Sequence, residues 1–340
     1  MRAIVYTKYG GPEVLRTEEV ELPLVGNDDV LIRVCAASVN RIECYHVRGV
    51  PYVVRLFTGL RRPKRTAALG IDFAGIVESV GSNVTDLIAG DEVFGGCDGA
   101  FSEYVCGSEG DFARKPSASS FEQAAALPIA GVTALQALRD HGKVQAGHHV
   151  LVIGAGGGVG TFAVQIARAL GAEVTGVCSA SKLELVRSIG ATHVIDYAVE
   201  DIVAAGHHQY DVIVDCVGDR SLTANRRALT VGGTLVIVGG GSSKWLGPMG
   251  TMLKAKIQSR FIKQKIVFCI GKINQGDLVV LAKMVEGGSV SPVVGRSFHF
   301  RDAGAAIRLL EEGHALGKTV LTNNQPSEGR DRIESHQSPN

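Results

Sequence analysis

The stretch His149-Val150-Leu151-Val152-Ile153-Gly154-Ala155-Gly156-Gly157-Gly158-Val159-Gly160 decides the fold. A short apolar run ends in a glycine cluster, and an apolar-periodic segment, Thr161 to Leu170, follows at once. That order predicts strand, tight turn, helix. Glycines belong in such a turn because the backbone must bend sharply and let a diphosphate approach bare amides at the helix N-terminus, where partial positive charge gathers. The strict G-x-G-x-x-G spacing is not met. Counted from Gly154 its last position falls on Val159, and counted from Ala155 it begins with alanine. What survives is Gly154-x-x-Gly157-x-x-Gly160, which a flexible loop would also tolerate, so the flanks decide.

Downstream, strand and helix patterns alternate. Val150–Ile153 and Val159–Leu170 are followed by Glu173–Cys178 and Lys182–Ile189, then by His193–Ile195 and Glu200–Ala205. Asp211–Val217 and Ser221–Leu229 come next, then Thr234–Val238, and last a strand at Lys265–Ile270 with the helix Asp277–Glu286. Runs such as Val150–Ile153 are almost continuously apolar, as strands buried on both faces of a parallel sheet are. Six such units predict an α/β, doubly wound Rossmann domain over 126–289. Just upstream, Phe121–Asp140 reads as a helix that Pro128 breaks or kinks, with Gly131 allowing close approach.

The first part of the chain has a different rhythm. Met1–Tyr6, Asp29–Ala36, Gly75–Val80, Asp91–Gly95 and Phe101–Val105 are short runs bounded by turn residues, and they read as strands. Residues 1–125 are therefore expected to form an irregular β-rich domain. The segment 290–323 holds an amphipathic helix, Asp302–Glu312, and is expected to return and pack on that domain. The polar residues 324–340 are expected to be disordered. Between Tyr45 and Leu69 lies a basic piece, Arg55 to Arg65, which reads either as a solvated loop or as a lid over a substrate entrance.

Bulk properties exclude several classes. The 340 residues suit about two domains. Lys plus Arg number 35 against 34 Asp plus Glu, so neither nucleic acid nor an anionic membrane surface is an expected partner. No signal peptide is evident, and no apolar stretch approaches the ~20 residues that span a bilayer. A cytoplasmic protein is expected. Seven cysteines are scattered, odd in number and never spaced C-x-x-C, which argues against a disulfide framework or a cysteine-rich zinc lobe.

If the glycine turn holds a dinucleotide, the tip of the second strand selects which one. A ribose 2′-hydroxyl is usually accepted by an acid there, whereas a 2′-phosphate wants hydroxyls and a cation. The tip runs Val177-Cys178-Ser179-Ala180-Ser181-Lys182 and carries no carboxylate, which favours NADP, with Ser179 and Lys182 as its contacts. Both residues also suit the start of the following helix, Ser179 as its cap.

At this point the chain resembles a known family over almost its whole length. Ala36-Ala37-Ser38-Val39-Asn40, Leu69-Gly70-Ile71-Asp72-Phe73-Ala74-Gly75-Ile76-Val77, Gly90-Asp91-Glu92-Val93-Phe94-Gly95 and Ala126-Leu127-Pro128-Ile129-Ala130-Gly131-Val132-Thr133-Ala134 stand in order before the glycine turn. Together they are similar to the zinc-free quinone oxidoreductases of the medium-chain dehydrogenase/reductase superfamily. That resemblance implies a GroES-like β-rich catalytic domain beside the Rossmann domain. The zinc alcohol dehydrogenases of this superfamily place metal ligands where this chain has Asn40, Ile71 and Ile129. An isoleucine has no lone pair for a cation, so no metal site is expected.

The resemblance also implies a set of site residues. Asn40 would lie beside the nicotinamide end of the cofactor and Thr133 at its carboxamide. Gly157, Gly158 and Val159 would hold the diphosphate, Tyr197 would lie near the adenosine, and Val217, Gly239 and Lys318 would complete the cofactor contacts. Tyr45 and Tyr52 would line the substrate pocket, where ordinary rim packing is the alternative. Asn40 and Tyr45 are the candidates for catalysis, with Tyr45 or water as proton donor. The expected activity is hydride transfer from NADPH to a quinone or an α,β-unsaturated carbonyl. An enoyl or 2-alkenal reductase of the same fold and a non-catalytic NADPH-binding sensor or scaffold are the alternatives. The sixth strand, Lys265–Ile270, should lie at a sheet edge that invites a homodimer.

Overall fold

The computed structural model describes residues 1–63, 69–202, 210–239, 263–313 and 315–322. In the N-terminal part the elements are β1 (Arg2–Val5), β2 (Arg16–Glu19), β3 (Asp29–Val39), α1 (Arg41–Arg48), α2 (Arg55–Thr58), β4 (Asp72–Val80), β5 (Glu92–Gly96), β6 (Tyr104–Ser108) and β7 (Phe112–Arg114). Two helices follow, α3 (Phe121–Ala125) and α4 (Pro128–Gln136). The alternating part comprises β8 (His149–Ile153), α5 (Gly158–Ala169), β9 (Glu173–Cys178), α6 (Leu183–Ser188), β10 (His193–Asp196) and β11 (Tyr210–Asp215). It continues with α7 (Leu222–Ala228), β12 (Leu229–Ile237), β13 (Lys265–Phe268) and α8 (Gln275–Glu286). The return segment supplies β14 (Val294–His299), α9 (Ala303–Glu311) and β15 (Lys318–Thr322).

Six strands form one parallel sheet in the order β10-β9-β8-β11-β12-β13. By position in the unit this is 3-2-1-4-5-6, the doubly wound order, and its switch point lies between β8 and β11. The apolar runs are continuous because alternate residues feed two cores. Val150, Val152, Val212 and Val214 pack into one cluster, while Leu151, Ile153, Ile213 and Leu235 pack into another. Each such side chain, fully buried, contributes about 1.5–3 kcal/mol.

A second sheet of seven strands runs β14-β15-β3-β4-β5-β7, with β6 also paired to β3. Two of its strands come from the return segment. Thr319–Thr322 of β15 pair antiparallel with Ala36–Val39, while Asp29–Arg33 at the other end of β3 pair with β6. The amphipathic helix of this segment, α9, buries Ala303, Ala306 and Ile307 against the same core as Ile32, Phe73 and Phe101. The return segment is also anchored to the parallel-sheet layer. The Gln165 side chain of α5 donates to Ser291 O and accepts from Ser291 N, at 3.0 and 2.7 Å.

Several boundaries differ from expectation for identifiable reasons. The helix expected over 121–140 divides at Pro128, which starts α4, and ends in a π turn at Ala137–His141. Gly131 meets Leu281 of α8, where an added Cβ would come within 3.0 Å. The strand expected over 211–217 stops at Asp215, because its carboxylate accepts the Val217 and Gly218 N–H groups and turns the chain. Phe101 lies outside β6, bonded through its backbone to Leu69 and Ile4 as a buried plug. The helix expected at Glu200–Ala205 and the tail 324–340 lie partly and wholly outside the described residues. Among the described residues no helix is long and apolar enough to cross a membrane.

Candidate active site

Most of the expected cofactor positions lie along the C-terminal edge of the parallel sheet, where ligands bind in open α/β folds. α5 begins directly after β8, with Gly157 as its N-cap and no side chain capping it. The N–H groups of Gly158 and Val159 at its start therefore have no partner within the helix, while that of Thr161 already bonds Gly157 O. Gly160 lets the helix close on the strand, since an added Cβ would collide with Gly154 O and stand 2.8 Å from Ala155 Cα. Gly154, the turn residue with φ +81°, packs against Val217 after β11. Gly239 after β12 lies against Cys216 O and Val217 N. Thr133 on α4 meets Gly271, just beyond β13. Gly turn, Val217, Gly239 and Thr133 thus follow one continuous line.

The β9 tip places Ser179 Oγ 3.2 Å from Ser181 Oγ. Lys182 is not an extended surface lysine. Its stem crosses Gly156 and its Nζ donates to Ala315 O at 2.7 Å, which ties the tip to the return segment. Burial holds its ammonium below the usual lysine range. Tyr197, exposed just after β10, donates its backbone N–H to Cys178 O at 3.3 Å.

Across the crevice the return segment crosses the glycine turn. Gly317 N donates to Gly156 O at 3.0 Å, and Gly157 and Gly317 form an isolated bridge. Lys318 follows, and its stem covers Gly158 at 3.0 Å from where a Cβ would stand. Its Nζ then reaches into a buried polar cluster. It donates to Asn40 Oδ1 at 2.6 Å and lies 3.6 Å from Asp72 Oδ2. Asn40 Nδ2 donates to Asp72 Oδ2 at 3.0 Å and to Ser38 O at 3.4 Å, and Ser38 Oγ donates to Asp72 Oδ2 at 3.0 Å. The other Asp72 oxygen accepts the Ile129 N–H at 3.1 Å. A cation on one side and a carboxylate on the other fix which way the Asn40 amide faces. Both its N–H groups are engaged, so Asn40 has no donor left for a ligand.

Glu43, on the first turn of α1, joins this cluster. Its Oε2 accepts the Asn40 N–H at 2.7 Å, while Oε1 is buried without a hydrogen-bond partner. Desolvation, with the Asp72 charge adding to it, pushes its carboxyl up to about 8. Desolvation also raises Asp72 and lowers Lys318, each opposed by the other's charge. Two carboxylates face one ammonium, and Glu43, buried and with Asp72's charge against it, is driven toward its neutral form.

The sequence reading named Asn40 and Lys318 but missed Glu43, Asp72 and Ser38. The Asn40-x-x-Glu43 spacing is that of the acid half of a capping box and was a usable signal. Tyr45 lies two residues after Glu43 on α1, half-buried, and Tyr52 lies beyond the end of that helix. Tyr52 faces the Arg55 guanidinium, 4.9 Å from its ring centroid. Among the described residues no cluster of three His, Cys, Asp or Glu side chains is arranged to hold a metal.

A doubly wound sheet whose glycine turn is closed by a mixed β-sheet defines the medium-chain dehydrogenase/reductase class. Comparison with known proteins agrees. Residues 26–117 match the alcohol dehydrogenase GroES-like domain and residues 189–321 match a family described as zinc-binding dehydrogenase. Rat quinone oxidoreductase is 32% identical over 331 residues, covering 94% of this chain and 97% of that protein. The NADPH-dependent alkenal/one oxidoreductase of Arabidopsis thaliana chloroplasts is 34% identical over 342 residues, covering 94% and 79%. The quinone oxidoreductase structure from Coxiella burnetii superposes with a TM-score of 0.84 at 31% identity, over 95% of this chain and 99% of that one. The chain belongs to the quinone oxidoreductase family of the medium-chain dehydrogenases/reductases.

Proposed function

We propose that this protein is an NADPH-dependent oxidoreductase acting on quinones or α,β-unsaturated carbonyls. The observation that carries the reading is the uncapped glycine turn, faced by Lys318 and continued by Val217, Gly239 and Thr133 along one sheet edge. The names of the similar rat and Arabidopsis proteins support the substrate classes, and the latter supports NADPH. NADPH, when bound, supplies a hydride to the quinone or to the β-carbon of the enone, and a proton completes the product.

The residues of this chain would bind and orient. Gly157, Gly158 and Val159 offer backbone N–H groups to the diphosphate, and the Lys318 stem lies over Gly158 while its ammonium holds Asn40. Ser179 and Lys182 take the 2′-phosphate, and Tyr197 lies by the adenosine. Asn40 and Thr133 border the nicotinamide. Tyr45 and Tyr52 line the acceptor pocket, and Tyr45 or water gives the proton.

Zinc-independence belongs to the same proposal. Ile71 and Ile129 carry no lone pair, and the Lys318 ammonium already sits on Asn40 Oδ1. So does a homodimer through β13, an edge strand among the described residues, followed by the exposed Ile270. A cytoplasmic location is consistent with seven free thiols, while the Arabidopsis relative is chloroplastic, so fractionation is the check. The decisive experiment follows NADPH in two ways. Nicotinamide fluorescence should report binding, and NADPH should be consumed when quinones and enals are added, with or without a chelator. Binding without consumption would return the reading to a sensor or scaffold, and no binding would remove both.

A further inference from the structure

Residues 44–71 contain Arg48, Arg55, Arg61, Arg62, Lys64 and Arg65 and not one Asp or Glu. In a chain whose 35 cations and 34 anions otherwise balance, this is a concentrated positive field. The segment begins on α1, which carries Asn40 at its N-cap and Tyr45 within it. The acids that approach from elsewhere meet its first part: Arg48 takes the two oxygens of Glu311, at 2.7 Å each, and also feels Glu13, while Asp98 acts on His46. Lys64 and Arg65 lie outside the described residues.

Arg55 is built in. Its guanidinium lies over Tyr9 at 4.6 Å and Tyr52 at 4.9 Å, and its Nε donates to Gly49 O at 2.9 Å. Two rings and a helix-terminal carbonyl fix the plane, so its ordering cost is met before any ligand arrives. Among the described residues its Nη hydrogens have no acceptor, and Arg61 and Arg62 are exposed without an ion pair. Beside them stand apolar side chains in the open, Leu56 66% exposed and Leu60 69%. A fixed cation next to exposed leucines suits an amphiphile.

We propose that the acceptor is an α,β-unsaturated carbonyl on an aliphatic chain that ends in an anion, held by Arg55 with Arg61 and Arg62. This rests on the reductase reading above and specifies its substrate. The test compares an alkenal ending in a carboxylate with its methyl ester, and with the same alkenal ending in a phosphate. At low ionic strength kcat/KM for the acid should exceed that for the ester by about tenfold, and salt should erode the difference. The phosphate arm separates carboxylate recognition from a general preference for anions. Arg55→Gln should collapse the acid-to-ester ratio. The exposed double variant Arg61→Gln/Arg62→Gln should lower its salt dependence even if the Arg55 variant folds poorly. Equal rates for acid and ester, with the ester well reduced, would overturn the inference and leave the reductase reading standing. A rise in the NADPH KM that matches the loss on the acid would assign these cations to the cofactor and overturn it too. Reduction of neither alkenal and no quinone would remove the reductase reading itself.

Discussion

At the scale of single residues, the cluster at Asn40 contains a buried acid that burial drives toward its neutral form. Glu43 is buried, its carboxyl is raised to about 8, and its unfolded value is 4.5. The folded state therefore binds a proton that the unfolded state releases between these values. Stability is then greatest below pH 4.5 for this group and declines as pH rises toward about 8. Glu43→Gln, which keeps an oxygen for the Asn40 N–H, should flatten that decline in denaturant titrations at several pH values. An unchanged slope would mean the proton resides elsewhere. Lys182 admits an equally sharp test. If its ammonium leaves Ala315 O for the 2′-phosphate, Lys182→Ala should weaken NADPH by about tenfold and NADH hardly at all. Equal weakening would make it a clasp on the return segment and nothing more.

At the scale of elements, the turn between β8 and α5 allows no side chain at Gly160. Gly160→Ala must push the helix off the strand end, which should cost about 2 kcal/mol and lower the thermal midpoint. Gly110→Ala, where an added Cβ meets nothing within 4 Å, should leave it unchanged. Much of this level was readable in the sequence, for a physical reason. Strands buried on both faces need apolar side chains at every position, so Val150–Ile153 and Val212–Val214 announce themselves. What was hidden depends on distant partners. The end of β11 is set by the Asp215 carboxylate, and the cluster at Asn40 is completed by Lys318, 278 residues away. No local pattern encodes such a meeting, and only the family resemblance placed Lys318 near the cofactor.

At the scale of the whole molecule, the parallel sheet ends at β13, whose outer backbone groups have no neighbouring strand among the described residues. An edge bearing Ile266 and Val267, with Ile270 exposed beyond it, should pair with a second copy. Light scattering should give twice the 35.8 kDa of one chain, and a monomer at micromolar concentration would refute the dimer. The other sheet has a different history written into it. Ala36–Val39, the stretch that leads into Asn40, is paired on one side only by β15, the last strand among the described residues. During synthesis on the ribosome the six-strand layer can close while this edge of β3 is still bare. The cleft therefore matures last, and a chain halted before Lys318 would own a finished dinucleotide fold with Asn40 Oδ1 and the two acids beside it lacking their cation.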